Sequence, residues 1–312
     1  MLGVIEIQWW HWPIFLAIIL VLLAFDLGVF HRHAHVVRVG EAMRWTTLWV
    51  VLALGFALFL RYWRNTEEAL EYLTGYVIEL SLSMDNVFVI ALIFAYFSVP
   101  LRFQHRVLFW GILGAMIMRG IMIGLGTALI ARFHWVLYVM GAFLVVSGVK
   151  MVASPQESVH PEKNPVVRLA RRWFRVSTEF DGQRFVSRVN GQRVLTPLAL
   201  VLLMIETSDL IFALDSIPAI FAVTRRPFIV FTSNVFAILG LRSLYFMLAG
   251  AITYFRFLKA GLSVVLVFIG LKMLLGNWLV IPTLISLAVV GGIILISILA
   301  SVWSTRSKRG HA

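Results

Sequence analysis

Long apolar runs separated by short polar stretches are the feature of this sequence that most limits its fold. An α-helix rises ~1.5 Å per residue, so about 20 apolar residues cross the ~30 Å hydrocarbon core of a bilayer. Such runs predict nine membrane-spanning helices, at residues 13–30, 46–62, 72–98, 106–131, 134–152, 197–223, 228–252, 259–275 and 278–303. The mean hydropathy of +0.92 and the 13% share of charged residues lie outside the soluble range. The sequence therefore predicts an all-α polytopic membrane protein.

The distribution of positive charge predicts how the chain crosses the membrane. The first apolar run has no basic residue before it and no A-x-A-like site after it, so we interpret it as a retained helix and not as a cleaved signal peptide. Most of the 27 Lys and Arg fall on one side if the N-terminus is outside. Because basic loops stay cytoplasmic, we predict an outside N-terminus and an inside C-terminus. The net charge of +12 then reflects this bias, and nucleic acid is not an expected partner.

The segment 154–196 is the one long polar stretch, and we predict local structure within it. Arginines alternate with apolar residues from Pro165 to Val176, a pattern typical of an interfacial helix. Asn190-Gly191 stands between two short apolar runs and indicates a β-hairpin. The segment is interpreted as a solvated basic loop, with a docking site or sensor as the alternative.

The two halves that flank this loop resemble each other. "ELSLSMDN" aligns with "DLIFALDS", "GAMIMR" with "AILGLR" and "GVKMV" with "GLKML", in the same order. Because the first helix of one half runs inward and that of the other runs outward, we predict two inverted three-helix repeats, a common plan of secondary transporters. The predicted organisation is an N-terminal helical hairpin (1–71), a first repeat (72–153), the basic cytoplasmic loop (154–196), a second repeat (197–276) and a C-terminal helix with a basic tail (277–312).

Carboxylates inside the apolar runs carry the functional signal. They are Glu79, Asp85, Glu206, Asp209 and Asp215. An unpaired charge near the bilayer centre costs about 3 kcal/mol, so burying all five acids in the charged, unpaired state would cost of order 15 kcal/mol. We therefore expect them to be protonated, paired with Arg119 or Arg242, or bound to a cation. A purely structural helix-to-helix salt bridge is the alternative for any single acid, and structural pairing or a transport role remain open for the two arginines.

Spacing on the second of these helices suggests how the acids could meet. Glu206 and Asp209 are three residues apart and share a face, whereas Asp209 and Asp215 point in different directions on a regular helix. Pro218 has no N–H for the carbonyl of Leu214, so we expect a break near Asp215 that lets the acids converge.

The polar residues beside the acids complete an all-oxygen ligand set. Asn86, Ser83 and Ser216 offer amide and hydroxyl oxygens, and the chain has no cysteine, which excludes thiolate ligands, disulfides and a cysteine nucleophile. Oxygen ligands suit Mg, Ca or Mn rather than zinc or copper. The same carboxylates can bind protons, so we hypothesise antiport of a divalent cation and protons, with no resident cofactor.

Four weaker features of the sequence are also interpreted, two of them with an alternative. Asp26 is either an accessory site near the cytoplasmic mouth or a structural partner. The alternation of His31, His33 and His35 resembles metal spacing, but beside arginines it is more typical of a solvated interface. Asn234 offers a further ligand oxygen, and Gly240 suits close helix packing.

Four long motifs make the chain similar to a known family. "ELSLSMDNVFVIALIF", "LFWGILGAMIMRG", "ETSDLIFALDSIPAIF" and "FTSNVFAILGLRSLYF" resemble the TerC family of bacterial membrane proteins, and the chain as a whole resembles its Alx-type branch. The resemblance covers nearly all of 13–276. It implies a bacterial inner-membrane protein related to LysE-type exporters, associated with tellurite resistance by name and with manganese(II) export by function.

The resemblance also implies functional residues. The acidic export residues of the family fall on the five carboxylates named above, and its polar companions fall on Asn86, Ser216 and Asn234. The preference for Mn(II) over Mg or Ca rests on this resemblance alone. An all-carboxylate site has no means of favouring an oxyanion, so tellurite is interpreted as a phenotype rather than a substrate.

Two functions of other classes compete with transport. Asp85 and Asp215 could form the dyad of an intramembrane aspartyl protease, but the "GxGD" pattern is missing and the other three acids would have no task. A non-transporting scaffold, whose cytosolic loop binds partners or assists metallation of secreted enzymes, is the third hypothesis. We expect a transporter and no catalytic residues; oligomeric state and coupling stoichiometry do not follow from the sequence.

Overall fold

The computed structural model of the chain is a helical bundle with one small β-hairpin. It describes residues 8–25, 39–153, 164–189, 191–248, 257–276, 278 and 281–309. The elements are α1 (His11–Phe25), α2 (Val39–Trp63), α3 (Thr66–Tyr96), α4 (Leu101–Arg132), α5 (Val136–Ala153), α6 (Pro165–Trp173), β1 (Val186–Val189), β2 (Gln192–Leu195), α7 (Pro197–Phe221), α8 (Pro227–Leu239), α9 (Leu241–Leu248), α10 (Leu258–Leu274) and α11 (Thr283–Arg309).

Local sequence fixes where several of these helices begin. Asn65 caps α3 by accepting a hydrogen bond from the backbone N–H of Glu68. Pro197 and Pro227 occupy the first turns of α7 and α8, where a missing N–H costs nothing. The chain therefore marks its helix starts with caps and prolines as well as with apolar runs.

Part of the bundle has the length and apolar composition of membrane-spanning helices. Six stretches among the described residues are long and apolar enough to cross a membrane, at Gly40–Trp63, Thr66–Tyr96, Leu101–Arg132, Pro197–Phe221, Pro227–Leu248 and Thr283–Ser301. The apolar helices α1 and α5 are shorter. Each predicted span overlaps a helix in the described part of the chain, but the count of nine spans stays a prediction.

Apolar side chains cover the outside of the bundle as well as its core. Ile117, Leu125, Val146 and Ile211 are exposed along the faces of their helices, as expected for surfaces in contact with lipid. In contrast, α8 is buried almost throughout, so it forms the centre of the bundle. This central helix brings Asn234 next to the helices that carry the acids.

The helices α3 and α7 run antiparallel through the core, with α4 beside them. A Cβ at Gly75 would approach Ile220, whereas Asn86, further along α3, forms a hydrogen bond with Asp209, which is earlier on α7. The two helices therefore run in opposite directions. We call the end that holds α6, the hairpin and the starts of α4 and α7 the hairpin end. The opposite end, which holds the starts of α3, α5 and α8, is the far end.

The helices α5 and α10 pack through glycines in a reciprocal way. A Cβ at Gly148 would lie 2.9 Å from the carbonyl oxygen of Ser263 and 3.1 Å from the N of Val267. A Cβ at Gly270 would lie 2.7 Å from the carbonyl oxygen of Gly141 and 2.9 Å from the N of Val145. These glycines are equivalent in the proposed alignment of the two halves. Such paired contacts are what an internal two-fold axis requires, although the inverted repeat itself stays a prediction.

The polar loop forms the two elements expected within it. Asn164 caps α6, and Val189 pairs with Gln192 at the turn of the antiparallel hairpin. Gly191 adopts φ +76°, a left-handed conformation that a side chain would oppose. Asn190 lies outside the described residues.

The expected break near Asp215 is wrong. The helix α7 continues from Pro197 to Phe221 with Pro218 inside it. An interruption occurs instead at Gly240, between α8 and α9. A proline removes one hydrogen bond, but packing on α3 and α4 holds α7 helical through that point.

Candidate cation site

A buried arginine holds the acids of the two antiparallel helices together. Arg119 on α4 donates from Nη1 to Glu79 Oε1 on α3, and from Nη2 and Nε to Asp209 Oδ1 and Oδ2 on α7, at 2.8 and 3.1 Å. All three side chains are buried, Glu79 and Arg119 almost completely. Of the three predicted states of the acids, Glu79 and Asp209 thus adopt pairing with Arg119.

Amides and a hydroxyl extend this arrangement into a network. Asn234 Nδ2 donates to Glu79 Oε2 at 3.0 Å, while its Oδ1 accepts from Arg119 Nη1 at 3.0 Å. Asn86 Nδ2 donates to Asp209 Oδ1 at 3.1 Å. Ser216 Oγ lies 3.4 Å from Arg119 Nη1. The structure therefore brings together six of the residues selected from the sequence, contributed by four helices.

Several oxygens around the network have no hydrogen-bond partner. Among the described residues, five buried side-chain polar atoms are unsatisfied, and three of them are Ser83 Oγ, Asn86 Oδ1 and Glu206 Oε2. An unsatisfied buried polar group costs about 1–3 kcal/mol. All three belong to residues predicted as cation ligands or their neighbours, so the acceptors without partners concentrate where the sequence placed a site.

A small cavity adjoins the network on the side of the hairpin end. Its volume is about 20 Å³, and its lining is mostly apolar, with Asn86, Ser208, Asp209 and Arg242 as its polar members. That volume accommodates a single water molecule or ion. Asn86 thus lines a space of ionic size and also carries an acceptor oxygen without a partner.

Glu206 occupies a separate position against α4. A Cβ at Gly114 would overlap its carboxylate, so the carboxylate occupies the space that the missing side chain leaves. Glu206 precedes Asp209 by one turn and lies nearer the hairpin end. The sequence interpretation of one shared face is consistent with this stacking along α7.

Asp85 and Asp215 lie on opposite sides of the central pair. Asp215 Oδ1 accepts from Ser147 Oγ of α5 at 2.8 Å. Asp85 is close enough to Lys259 of α10 for an electrostatic interaction. Each acid is six residues from its partner on the same helix, Glu79 or Asp209, or about 9 Å along the axis. The two acids therefore have different neighbours and different depths.

The five carboxylates are spread along α3 and α7 and do not converge at one point. Within the described ranges, no group of three or more His, Asp or Glu side chains is placed to hold a metal ion. The physical reason is the unbroken α7, which keeps Asp215 turned toward α5. A cation at the centre would need amide, hydroxyl or backbone oxygens in addition to carboxylate.

The family comparison agrees with the motifs. Residues 64–309 match the profile of the integral membrane protein TerC family. The chain belongs to the TerC family. It is 52% identical over 295 residues to the uncharacterized membrane protein STKORF319 of Myxococcus xanthus, which covers 95% of this chain and 92% of the relative.

Other TerC-family relatives are similar over comparable lengths. A protein of Escherichia coli (strain K12) named putative membrane-bound redox modulator Alx is 48% identical over 301 residues, covering 94% of each chain. An uncharacterized membrane protein of Rickettsia felis is 39% identical over 291 residues, covering 93% of this chain and 97% of the relative. No solved structure matches the chain at a significant level.

Other predicted residues of this TerC-family chain lie beside the network or outside the described residues. Arg242, the equivalent of Arg119 in the second half, contacts His105 Nε2 at 3.2 Å through Nη1 and lines the small cavity. Gly240 ends α8, where a Cβ would meet only ordinary contacts. Asp26 and the histidines His31, His33 and His35 lie outside the described residues.

The sequence interpretation missed a charged cluster at the far end. Glu68 pairs with Arg64 at 2.9 Å and with Arg226 at 3.4 Å, and Glu71 accepts from Thr224 Oγ1 at 2.7 Å and from Arg226. A cavity of about 320 Å³ opens beside Glu71. Acids in the first turns of a helix are ordinarily explained by the helix dipole, so no pattern in the sequence marked them.

Proposed function

We propose that this TerC-family protein is a secondary transporter that exports divalent metal cations, with Mn(II) as the first candidate, in exchange for protons. It would act in the bacterial cytoplasmic membrane, with the hairpin end in the cytoplasm. The bias of Lys and Arg toward the segments at this end supports that orientation.

The observation that carries the proposal is the position of the unsatisfied oxygens. Asn86 Oδ1 lacks a donor, lines a cavity of ionic size and stands beside the Asp209 carboxylate. An amide oxygen and a carboxylate oxygen are ligands that hard divalent cations prefer.

In this proposal the Arg119 side chain provides the positive charge at the site when no metal cation is bound. Its single positive charge is shared by Glu79 and Asp209 when no substrate is bound, which offsets part of the cost of two carboxylates in a low-dielectric core and leaves one net negative charge if both are ionised. An arriving divalent cation competes with the guanidinium for the same oxygens, and protons do so as well. Competition for one pair of carboxylates is the physical basis of the exchange.

We propose that the remaining acids act as intermediate stations for the cation. Glu206 and Asp85 lie between the hairpin end and the central pair, and Asp215 lies between that pair and the far end. Carboxylates at successive depths allow a cation to move in short steps without a large desolvation cost.

The choice of Mn(II) over Mg or Ca follows from the family resemblance and not from the geometry. Some relatives of the chain are named putative membrane-bound redox modulators, which suggests a redox role as a second function. This chain contains no cysteine, so its own side chains perform no thiol–disulfide exchange.

Flux measurements in liposomes test the proposal. The purified protein is reconstituted, and Mn(II) movement is followed with a metal-sensitive dye for wild type, Asp209→Asn, Asp85→Asn and Asp215→Asn. Glu67→Gln is the matched control, because Glu67 is an exposed carboxylate on α3. We expect flux in wild type and the control and loss of flux in the three site variants.

Two results would change the conclusion. Absence of flux from well-folded wild type, under any pH gradient, would favour the scaffold hypothesis. Flux that leaves internal pH unchanged and ignores an imposed pH gradient would refute the proton coupling while leaving transport intact.

A further inference from the structure

The short helix α6 presents three distinct faces. Val167 and Ala170 are buried, with 1% and 9% of their surface exposed. They belong to the same apolar cluster as Phe103 of α4 and Leu198 of α7. This face fixes α6 against the ends of the membrane-spanning helices.

A second face is apolar and exposed. Val166, Leu169 and Trp173 follow the i, i+3, i+7 spacing and lie within about 60° of one another around the helix. Their exposed fractions are 39%, 47% and 72%, and the adjacent Phe174 is 55% exposed. A contiguous apolar stripe of this kind marks a contact surface.

The third face is basic. Arg168, Arg171 and Arg172 are exposed and lie away from the apolar stripe, with Arg175 following the helix. The combination of an apolar stripe and an arginine-rich face is the pattern of a helix that lies in the plane of a membrane surface.

The position of α6 matches that role. It packs on α7 near Pro197, and its cluster includes residues near the end of α3 and the start of α4. These are the points where the apolar spans meet polar chain, so a membrane crossed by α3, α4 and α7 would have its headgroups at the level of α6.

We propose that α6 binds anionic phospholipid of the inner leaflet. The stripe of Val166, Leu169 and Trp173 inserts about 5–10 Å into the boundary between headgroups and acyl chains. Arg168, Arg171 and Arg172 hold the lipid phosphates. Charge complementarity selects this occupant, because the exposed guanidinium groups of Arg168, Arg171 and Arg172 attract lipid phosphates while the apolar stripe of the same helix faces the acyl chains.

Site-directed spin labelling tests the proposal without any assay of transport. The chain has no native cysteine, so Leu169→Cys, Trp173→Cys and Arg168→Cys each give one label on the full-length protein. The labelled proteins are placed in nanodiscs of phosphatidylcholine alone or with phosphatidylglycerol. Accessibility to oxygen, which partitions into lipid, is compared with accessibility to a water-soluble nickel chelate.

We expect labels at 169 and 173 to favour oxygen several-fold over the label at 168, with a larger contrast when phosphatidylglycerol is present. Equal access of the nickel chelate to 168 and 169 in both lipids would overturn membrane contact. Spin–spin broadening between labels at 169 would assign the stripe to a second copy, and equal insertion in both lipids would refute the preference for anionic lipid.

A charge variant separates α6 from the rest of the loop. Arg171→Gln with Arg172→Gln should abolish the response to phosphatidylglycerol. The matched control is Arg188→Gln with Arg193→Gln, which removes the same charge from exposed, paired positions of the hairpin. An equal loss in both double variants would show a general effect of loop charge and contradict the specific role of α6.

Discussion

Arg119 binds Asp209 with two separate donors, Nε to Oδ2 at 3.1 Å and Nη2 to Oδ1 at 2.8 Å. The planar guanidinium matches the two oxygens of a carboxylate, and the remaining Nη1 reaches Glu79 and Asn234. A lysine ammonium group cannot present two parallel N–H donors to one carboxylate in this way, so this geometry is specific to arginine. One side chain thus connects the first helices of both halves through α4.

Removing Arg119 should destabilise the protein strongly. Arg119→Leu leaves two buried carboxylates without their counter-charge, and loss of one partner of a buried ion pair typically costs about 3–5 kcal/mol. Thermal unfolding in detergent should show a lowered transition temperature. Adding Glu79→Gln and Asp209→Asn should recover part of the loss. A transition unchanged from wild type in Arg119→Leu would contradict the role of the ion pair.

Replacing Asn86 should weaken cation binding more than folding. Asn86→Leu removes the unsatisfied Oδ1 beside the small cavity, together with the donor to Asp209. We expect reduced Mn(II) affinity by titration calorimetry. Gln104→Leu is the matched control, because Gln104 is an equally buried amide that bonds to Val99 and Tyr245 and lies outside the network. Equal affinity loss in both variants would contradict a ligand role for Asn86.

Gly114 should be essential for the placement of Glu206. A Cβ at this position would overlap the Glu206 carboxylate, and overpacking of a core typically costs about 1–3 kcal/mol. Gly114→Ala should therefore reduce both stability and Mn(II) flux. Gly124→Ala on the same helix is the control, since a Cβ there has no atom within 4 Å. If the two variants behaved alike, Glu206 would not depend on this space.

The reciprocal packing of α5 and α10 predicts matched effects at equivalent glycines. At Gly148 and at Gly270 a Cβ would come within 2.9 Å of backbone atoms of the other helix, and backbone cannot move aside as a flexible side chain can. Gly148→Ala and Gly270→Ala should lower the unfolding temperature by similar amounts, with losses of about 1–3 kcal/mol. Gly55→Ala should leave the unfolding temperature unchanged, because a Cβ at Gly55 has no atom within 4 Å. Strongly unequal losses would argue against an internal two-fold relation.

Much of the secondary structure follows from the sequence alone. Apolar runs predicted where helices form, and the observed starts of α3, α7 and α8 coincide with Asn65, Pro197 and Pro227, because capping and missing N–H groups act within one turn. The amphipathic α6 and the hairpin next to Gly191 were predicted for the same reason. These effects depend on residues that are close in the sequence, so they can be predicted from the sequence without knowledge of the fold.

Only the tertiary structure decided which charges meet. The repeat pattern offered Arg119 and Arg242 as equivalent partners for the acids, yet the distances place Arg119 between Glu79 and Asp209 and place Arg242 against His105. The unbroken α7 turns Asp215 toward Ser147, which no motif marked. Helical periodicity assigns a residue to a face, but the neighbour of that face depends on how several helices pack at once. The sequence by itself determined that carboxylates lie within apolar helices, and packing determined which of them are neutralised and which oxygens are left without a partner.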